Sequence, residues 1–270
     1  MIMTATLVSH GLLYVLTGIF AGLMSGILGL GGGILVVPAL LLIFSNNSLI
    51  PKEFAMHMAS ATSLAIMIFT AQASIRAHNN HGDILWGIYR RLLPGLLLGS
   101  LSGALLVGFI SGELLKLLLA LVMSLVVFHM LFGKKSTVTK QTIRRWLDGM
   151  VSYLLGLNSG LLGIGGGVLI IPYLDYCGIE LRKITAISAL CTLTVSLIGT
   201  IVVIATSLSV ANLPMFATGF VYWPAVIAVA IPSSLLAPYG AKLTYMIPVD
   251  WLRYGFIAIF LLTAILLLIE

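Results

Sequence analysis

The sequence predicts an all-α integral membrane protein built from two homologous repeats. Three observations lead to this prediction: an apolar composition, long hydrophobic stretches, and a glycine motif that occurs once in each half. Of the 270 residues, 60% are hydrophobic and only 8% are charged, and the mean hydropathy is +1.16. A soluble domain carries about 25% charged residues. Because so few charges cannot cover a water-facing surface, we expect the chain to lie in a lipid bilayer.

Hydrophobic stretches recur along the whole chain, and the carboxylates lie between them or at their ends. A charge at the centre of a membrane helix would cost about 2.5–3.5 kcal/mol. The first stretch has no basic segment before it and no small-residue cleavage site, so we interpret it as a retained span and not as a cleaved signal peptide. The stretches cover residues 11–44, 55–75, 86–110, 114–132, 149–174, 184–207, 214–240 and 250–269.

The most polar segment of the chain divides these stretches into two sets. It covers residues 133–145 and is rich in Lys and Arg. We therefore expect a first transmembrane repeat at residues 1–132, a basic cytoplasmic linker at 133–148 and a second transmembrane repeat at 149–270. Each repeat would hold about four full transmembrane helices and one segment broken by glycines.

The glycine motif lies inside the first stretch of each half. Residues 22–38 recur as residues 156–172, an offset of 134 positions, and 11 of the 17 aligned residues are identical. A straight helix over residues 11–44 would run about 51 Å, whereas the hydrocarbon core is about 30 Å thick. Each glycine inside a helix also costs about 1 kcal/mol. We therefore expect two helices joined at the glycines, either as two short crossings or as a re-entrant hairpin.

This break decides how the two halves are oriented. If it counts as two passes, each half has five passes and the repeats are inverted; if it counts as one, the repeats are parallel. Cytoplasmic loops are enriched in Lys and Arg, and the inverted arrangement leaves only Lys52 and Lys116 on the opposite side. The sequence thus favours inverted repeats. The residues on the cytoplasmic side would be the linker and Arg76, Arg90, Arg91, Arg182, Lys183, Lys242 and Arg253.

The glycine breaks are the first candidate for a binding site. Irregular backbone at membrane depth must face protein or a water-filled cavity. The helix after each break begins with free N–H groups and a positive dipole end, and two such ends at one cavity would bind an anion. The alternative is that glycines only allow close helix packing, as the spacing of Gly18, Gly22 and Gly26 and of Gly95, Gly99 and Gly103 indicates elsewhere. The candidates are Gly29, Gly31, Gly32, Gly33, Gly163, Gly165, Gly166 and Gly167.

Polar side chains near the breaks and in the following helices are the second group. They could donate hydrogen bonds to an oxyanion, and the alternative is ordinary bonding between helices or back to a helix carbonyl. The run Ser60-Ala-Thr-Ser63 resembles Ser188-Ala-Leu-Cys-Thr192, which supports a duplication of the whole half. The candidates are Ser25, Ser60, Thr62, Ser63, Asn158, Ser159, Ser188 and Thr192.

Intramembrane polar and ionisable side chains form a third group. His57 and Gln72 lie in the second stretch and Arg76 just beyond it, and we regard them as candidates for coupling or gating. Arg76 also has a simpler interpretation as an orientation signal. His78 and His81 flank a polar loop, and we expect both to be solvated.

Several classes of protein are not supported. The chain contains no HExxH motif, no Cys/His cluster, no Ser-His-Asp spacing and no phosphate-binding loop. Its two cysteines, Cys177 and Cys191, provide neither a disulfide framework nor a metal site. We therefore expect no enzyme activity, no metal and no cofactor, and we interpret the net charge of +6 as an orientation signal and not as affinity for nucleic acid. The lack of a carboxylate in the middle of a span favours an anionic or neutral substrate.

The doubled motif Gly-x-x-Gly-x-Gly-Gly-Gly-xxxx-Pro, the chain length and the basic linker resemble the sulfite exporter TauE/SafE family of membrane transporters. The resemblance covers essentially the whole chain, and its motif positions include Pro38 and Pro172 beside the glycines named above. It implies a secondary carrier without an ATPase subunit, in the cytoplasmic (inner) membrane of a bacterial-type cell. The implied cargo is a small sulfur-containing anion such as sulfite or sulfoacetate, moved outward. Asn158 stands where the first copy has Met24, so the two halves need not contribute equally.

Together these observations predict a multi-pass secondary carrier of small anions. Alternating access would come from rocking of one half against the other around a midplane site. A passive anion channel and a non-transporting membrane scaffold are the alternatives. The expected partners are the anion and the lipid bilayer, with no nucleic acid. The oligomeric state is left open, with a homodimer as one option.

Overall fold

The computed structural model describes residues 2–29, 31–47, 50–79, 84–132 and 145–246, together with residues 255, 257, 258 and 261. Within them lie nine α-helices and one short β-hairpin, so the all-α expectation is confirmed. The helices are α1 (Ile2–Leu28), α2 (Gly33–Ser45), α3 (Ala55–Asn79), α4 (Trp86–Leu106), α5 (Gly112–Phe132), α6 (Arg145–Leu162), α7 (Gly167–Tyr176), α8 (Leu181–Ser207) and α9 (Trp223–Met246). The strands are β1 (Ala217–Thr218) and β2 (Val221–Tyr222), which pair antiparallel.

Four helical segments of the described chain are long and apolar enough to cross a membrane. They are Lys52–Asn79, Trp86–Phe109, Arg182–Ser207 and Trp223–Leu243. Together with the exposed leucines on the outer helix faces, such as Leu98 and Leu125 at 60% each, they fit a multi-pass membrane protein.

The first long stretch breaks at the glycines and folds back on itself. An added Cβ on Gly32 would lie 3.0 Å from the carbonyl oxygen of Ala21. In a straight helix these residues would be about 16 Å apart. The rings of Tyr14 and Phe44 meet at 6.4 Å at the other end. Helices α1 and α2 therefore form an antiparallel hairpin, and α2 with its 13 residues spans about 20 Å, too short to cross the bilayer core.

The second glycine break joins α6 and α7 into a hairpin of the same kind. Its two legs are tied near the open end, where the Tyr173 hydroxyl donates a 2.5 Å hydrogen bond to the Asp148 carboxylate. Asp148 is only 7% exposed. Residues 145–148, expected to belong to the linker, are the first residues of α6, while residues 133–144 lie outside the described chain.

Helices α3 and α8 cross at the centre of the molecule and run antiparallel. The end of α3 contacts α1 beside its break, because the Ser74 hydroxyl donates to the Ser25 carbonyl oxygen at 3.3 Å. The start of α8 contacts the same place, because the Ser188 hydroxyl donates to the Gly29 carbonyl oxygen at 2.9 Å. The end of one helix and the beginning of the other thus lie side by side.

Each outer helix packs against a helix from the other half of the chain. The glycines at 18, 22 and 26 bring α1 against α9, and an added Cβ on Gly22 would lie 2.6 Å from the Ser233 Cα. The glycines at 95, 99 and 103 bring α4 against α6, and a Cβ on Gly156 would lie 2.7 Å from the Leu96 carbonyl oxygen. The predicted packing role of these small residues is confirmed. Because each hairpin packs on a helix from the other half, the two halves are interlocked.

One hydrophobic stretch differs from its expected structure. Residues 214–240 do not form a helix from their start, since α9 begins at Trp223 and the β-hairpin precedes it. Phe216, with φ 67°, and Gly219, with φ 55°, turn the chain there. The Tyr222 N–H then donates to the Thr62 side-chain oxygen at 3.1 Å, which fixes this segment over the start of α3. Most of the last stretch, 250–269, lies outside the described residues.

Candidate functional site

The two glycine breaks meet at the middle of the α3–α8 pair. An added Cβ on Gly33 of the first break would lie 2.8 Å from the carbonyl oxygen of Ile164 in the second. Gly31 and Gly165 both abut the same two side chains, those of Met67 and Thr192. Because Met67 is near the centre of α3 and Thr192 near the centre of α8, the breaks come together at half the depth of the central helices.

The backbone of both breaks uses conformations that favour glycine. In the first break Gly29, Gly31 and Gly32 have φ values of 66°, 67° and 81°. In the second, Gly163 and Gly165 have φ values of 71° and 76°, whereas the third glycine, Gly166, has φ −64°. The duplicated motif therefore folds alike over its first two turn positions and differently at the third.

Hydroxyl groups of the central helices bind the irregular backbone. The Thr70 hydroxyl donates to the Gly31 carbonyl oxygen at 2.6 Å, as Ser188 does to Gly29. In the second break the direction is reversed, and the Gly167 N–H donates to the Thr192 side-chain oxygen at 3.0 Å. Ser188 and Thr192, two of the polar candidates named from the sequence, lie beside the breaks. Their hydrogen bonds satisfy buried backbone groups that would otherwise cost about 1–3 kcal/mol each.

The amino-terminal ends of α2 and α7 converge on this place. α2 begins at Gly33 and α7 at Gly167, and the first backbone bonds of α2 run from Leu35 and Val36 to the Gly32 carbonyl oxygen. The N–H groups of a first helical turn have no acceptor within their own helix, and each helix end carries about half a positive charge. Two positive helix ends therefore lie beside Met67 and Thr192.

Three buried hydroxyls around the breaks have no hydrogen-bond partner among the described residues: Ser25, Ser63 and Ser159. Ser25 and Ser159 come one turn before the breaks, where their carbonyl oxygens accept from Gly29 and Gly163. Ser63 is one turn before Met67 and thus on the same face of α3. All three are among the candidates named from the sequence, and their role as substrate donors stays a prediction.

The other polar candidates have different surroundings. The Ser60 backbone contacts Gly163, but its hydroxyl bonds back to the carbonyl oxygens of Met56 and His57 at 3.1 Å. The Thr62 side-chain oxygen accepts a hydrogen bond from the Tyr222 N–H of the β-hairpin. The Asn158 amide donates to the Leu154 carbonyl oxygen at 2.9 Å. The residue lines a groove of about 580 Å³ among α5, α6 and α7, and none of the break glycines lines this groove.

The three residues considered for coupling or gating do not join the breaks. His57 lies between the rings of Phe54 and Phe220, at 6.2 and 5.2 Å, and its Nε2 is 2.8 Å from the Ile110 carbonyl oxygen. Gln72 and Arg76 are exposed on the outer side of α3, in a groove against α9.

Two histidines were expected to be solvated. For His78 that expectation is wrong, because its ring is fully buried and its Nε2 lies 3.2 Å from the Gly26 carbonyl oxygen. The other histidine, His81, lies outside the described residues. Packing of α3 against the end of α1 covers a position that the polar flanking sequence had suggested was open.

Contacts also correct the internal alignment of the central helices. Gly163 packs on the backbone of Ser60, and its counterpart Gly29 packs on the backbone of Thr185. Ser60-Ala-Thr-Ser63 thus corresponds to Thr185-Ala-Ile-Ser188, one turn earlier than the sequence comparison suggested, and Met67 corresponds to Thr192. The sequence comparison missed Met67, Thr70 and Thr185, whose only signal was their helical spacing from Ser63 and Ser188.

No group of three or more His, Cys, Asp or Glu side chains able to hold a metal occurs in the described part of the chain. The site is therefore built from backbone groups, hydroxyls and one thioether. Interrupted helices that meet inside a multi-pass helical bundle are characteristic of membrane transporters.

A comparison with protein families agrees with this class. The family described as "Sulfite exporter TauE/SafE" matches residues 14–267. The chain belongs to this family, and it is a membrane transporter.

Several curated proteins are similar over much of the chain. A probable membrane transporter protein of Haemophilus influenzae is 30% identical, covering 94% of this chain and 96% of the relative. One of Methanocaldococcus jannaschii is 27% identical over 89% of each, and one of Xylella fastidiosa is 32% identical over 59% of this chain and 60% of the relative. No solved structure matches the chain.

Proposed function

We propose that this protein is a secondary carrier of small anions, with sulfur oxyanions and organosulfonates such as sulfite and sulfoacetate as its substrate class. The observation that carries the proposal is the meeting of the two glycine breaks between Met67 and Thr192. Export across the cytoplasmic membrane follows the direction named by the family. The two positive helix ends supply attraction for an anion without a buried Lys or Arg.

The halves are proposed to be inverted repeats. The antiparallel course of α3 and α8, which occupy corresponding places in the two halves, supports this arrangement. So does the folding back of α1–α2 and α6–α7, because a segment that returns to its own side gives each half an odd number of passes. Inverted halves around a midplane site can expose that site to each side in turn.

Substrate would enter by separation of the two breaks. There is no room for even a methyl group on Gly31 or Gly165, whose added Cβ would overlap Thr192. An anion therefore needs Met67 and Thr192 to move apart. It would then meet the donors of Ser25, Ser63 and Ser159. This tight closure supports a carrier over a permanently open anion channel.

Transport in proteoliposomes tests the proposal. Labelled sulfite loaded on one side should leave faster when unlabelled sulfite is present on the other, which is the behaviour of a carrier. An ohmic current without such stimulation would indicate a channel. A thermal-shift panel of sulfite, sulfate, thiosulfate, sulfoacetate, taurine and carboxylates would identify the preferred anion. If none of them is carried or shifts the unfolding temperature, the carrier proposal fails and a scaffold role gains support.

The serine donors can be tested separately from the fold. Because the hydroxyls of Ser63 and Ser159 have no partner in this state, replacing them by Ala removes an unpaired polar group and should leave the unfolding temperature nearly unchanged. Flux and anion-induced stabilisation should fall by about tenfold or more, since a lost hydrogen bond to a charged group costs about 1.5–3 kcal/mol. Ser124→Ala is the matched control, because that hydroxyl only bonds the Ala120 carbonyl oxygen in α5.

A further inference from the structure

A groove of about 410 Å³ lies between α3 and α9 on the outer side of the helical bundle. One wall has Gln72 and Arg76 of α3, and the other has Ser234 of α9. The Ser234 hydroxyl oxygen is buried and has no hydrogen-bond partner in the described part of the chain. The remaining walls are apolar and include Phe69, Leu235 and Pro238.

A second cationic side chain, that of Lys242, lies on α9 beyond the end of the groove. Lys242 is one turn beyond Pro238 and thus on the same face of the helix, with its Nζ 5.8 Å from the Tyr239 ring centre. Arg76 and Lys242 lie at the same end of the molecule, because their neighbours His78 and Ala241 both contact Gly26. The groove is therefore apolar along its length and positively charged at one end.

The corresponding helix pair in the other half of the protein is α8 and α4, which also pack together. Equivalent contacts align α9 with α4. Gly240 packs on Leu23, and Gly103 packs on Leu157, the residue 134 positions after Leu23, so Gly240 corresponds to Gly103. The positions of Gln72 and Arg76 correspond to Leu197 and Ile201, because Met67 corresponds to Thr192. The positions of Ser234 and Lys242 correspond to Leu97 and Leu105. These four counterparts are exposed by 39%, 64%, 37% and 44%.

The comparison between the two helix pairs separates the residues that helix packing needs from those that it does not need. Leucine and isoleucine fill the counterpart positions and face outward, as expected for a surface in contact with lipid. The polar groups in the α3–α9 groove are therefore not required for helix packing. An orientation signal accounts for Arg and Lys near a cytoplasmic end, but it does not account for Gln72 or for a buried, unpaired Ser234 hydroxyl.

We propose that the α3–α9 groove binds an anionic phospholipid through its phosphate headgroup. Arg76 and Lys242 neutralise the phosphate, as basic pockets between membrane helices do. Gln72 and Ser234 donate hydrogen bonds to its oxygens, and Phe69, Leu235 and Pro238 pack against an acyl chain. A free inorganic anion would leave these apolar walls uncovered, so the combination of charge and apolar surface favours a lipid.

The test uses the purified full chain in detergent, titrated with phosphatidylglycerol or with phosphatidylcholine. Thermal unfolding gives stabilisation, and native mass spectrometry counts retained lipids. The variant carries Gln72→Leu, Arg76→Ile, Ser234→Leu and Lys242→Leu, and so copies the residues that stand at the counterpart positions of α8 and α4. Arg90→Gln with Arg91→Gln removes the same charge from exposed positions at the start of α4 and is the control.

We expect phosphatidylglycerol to stabilise the wild type at about thirtyfold lower concentration than phosphatidylcholine, since two cations near an anionic lipid contribute about 1 kcal/mol each and every 1.4 kcal/mol is about tenfold in affinity. The four-residue variant should lose this preference, and the arginine control should keep it. An equal lipid preference in the variant and the wild type would overturn the proposal. Loss of the preference in the arginine control to the same degree would also overturn it. If glycerol phosphate or sulfite stabilises the wild type through this groove as well as the lipid does, the site belongs to a free anion and the lipid proposal is wrong.

Discussion

The backbone N–H of Gly167, the first residue of α7, donates a 3.0 Å hydrogen bond to the side-chain oxygen of Thr192 in α8. Thr192 also contacts Gly31 through its methyl group. One side chain of the second half thus touches both glycine breaks. Any movement that separates the breaks must change its contacts.

Replacing Thr192 by Val keeps the shape of the side chain but removes the acceptor. The buried Gly167 N–H is then unpaired, which should lower the free energy of unfolding by about 1–3 kcal/mol and reduce transport. Thr192→Ser retains the oxygen and should keep most of both properties. Thermal unfolding and flux in proteoliposomes measure the difference. Equal behaviour of the two variants would show that the hydrogen bond is unimportant.

The third glycine of the two breaks should respond unequally to alanine. Gly32 has φ 81°, where a residue with a Cβ costs about 1–2 kcal/mol, and the added atom would lie 3.0 Å from a backbone oxygen. Gly166 has φ −64°, and an added Cβ would lie 3.0 Å from a methyl group of Val195 and 3.1 Å from the Cys191 carbonyl oxygen, so the two positions are similarly crowded and differ in φ. Gly32→Ala should therefore lower the unfolding temperature more than Gly166→Ala. The opposite order would contradict the difference in backbone conformation.

The sidedness of the inverted repeats can be measured by cysteine labelling. Glu180 and Ala211 lie at opposite ends of α8 and are both exposed. In a background without Cys177 and Cys191, a membrane-impermeant thiol reagent added outside intact cells should label Ala211→Cys and not Glu180→Cys.

The two native thiols would contribute little labelling even in a protein that retained them. Cys191 is fully buried, and burial together with the Asp148 carboxylate raises the pKa of the Cys177 thiol to about 11, which leaves little reactive thiolate at neutral pH. Labelling of Glu180→Cys from outside would reject the proposed orientation.

His57 should behave as a structural residue. His57→Phe keeps an aromatic ring between Phe54 and Phe220 but leaves the Ile110 carbonyl oxygen without its partner, so the unfolding temperature should fall. Exchange of labelled anion and its response to a pH gradient should both persist in the remaining folded protein. A variant that exchanges anion normally yet no longer responds to the pH gradient would instead assign proton coupling to this side chain.

Asn158→Ala should leave transport unchanged. Its amide bonds within its own helix and faces the α5–α6–α7 groove, although the residue is close to the second break in sequence. The paired measurement is Ser159→Ala, one residue further on, which should lose flux. A large loss of flux in Asn158→Ala would place the substrate path in that groove.

The helix breaks could be predicted from the sequence because their physical cause is local. Three consecutive glycines disfavour a helix wherever they occur, and stretch 11–44 is longer than a membrane crossing. The small-residue seams at Gly18, Gly22 and Gly26 were also predictable, since a four-residue spacing puts them on one helix face. These conclusions need only the periodicity and the intrinsic cost of each residue.

The contacts across the site could not be predicted in this way. Met67 carries no sequence signal beyond its helical spacing from Ser63, because a methionine in an apolar helix looks the same whether it faces lipid or the glycine breaks. The sequence comparison aligned Ser60 with Ser188 because both are serines. The packing on the glycine breaks instead aligns Ser60 with Thr185. The shift of one turn arises because helices are aligned by ridges and grooves, which depend on the partner helix.

By itself the sequence determined that this protein lies in a membrane, that it is made of two related halves, and that each half is interrupted at its glycines. These properties follow from hydrophobicity and backbone propensity, which act residue by residue. The tertiary structure decided which groups surround the breaks, which hydroxyls remain unpaired, and that Arg76 belongs to an outer groove with Lys242. Several of those relationships join residues far apart in the chain, since Thr192 is 161 positions from Gly31 and Lys242 is 166 positions from Arg76. They therefore depend on how the helices pack and not on the local order of residues.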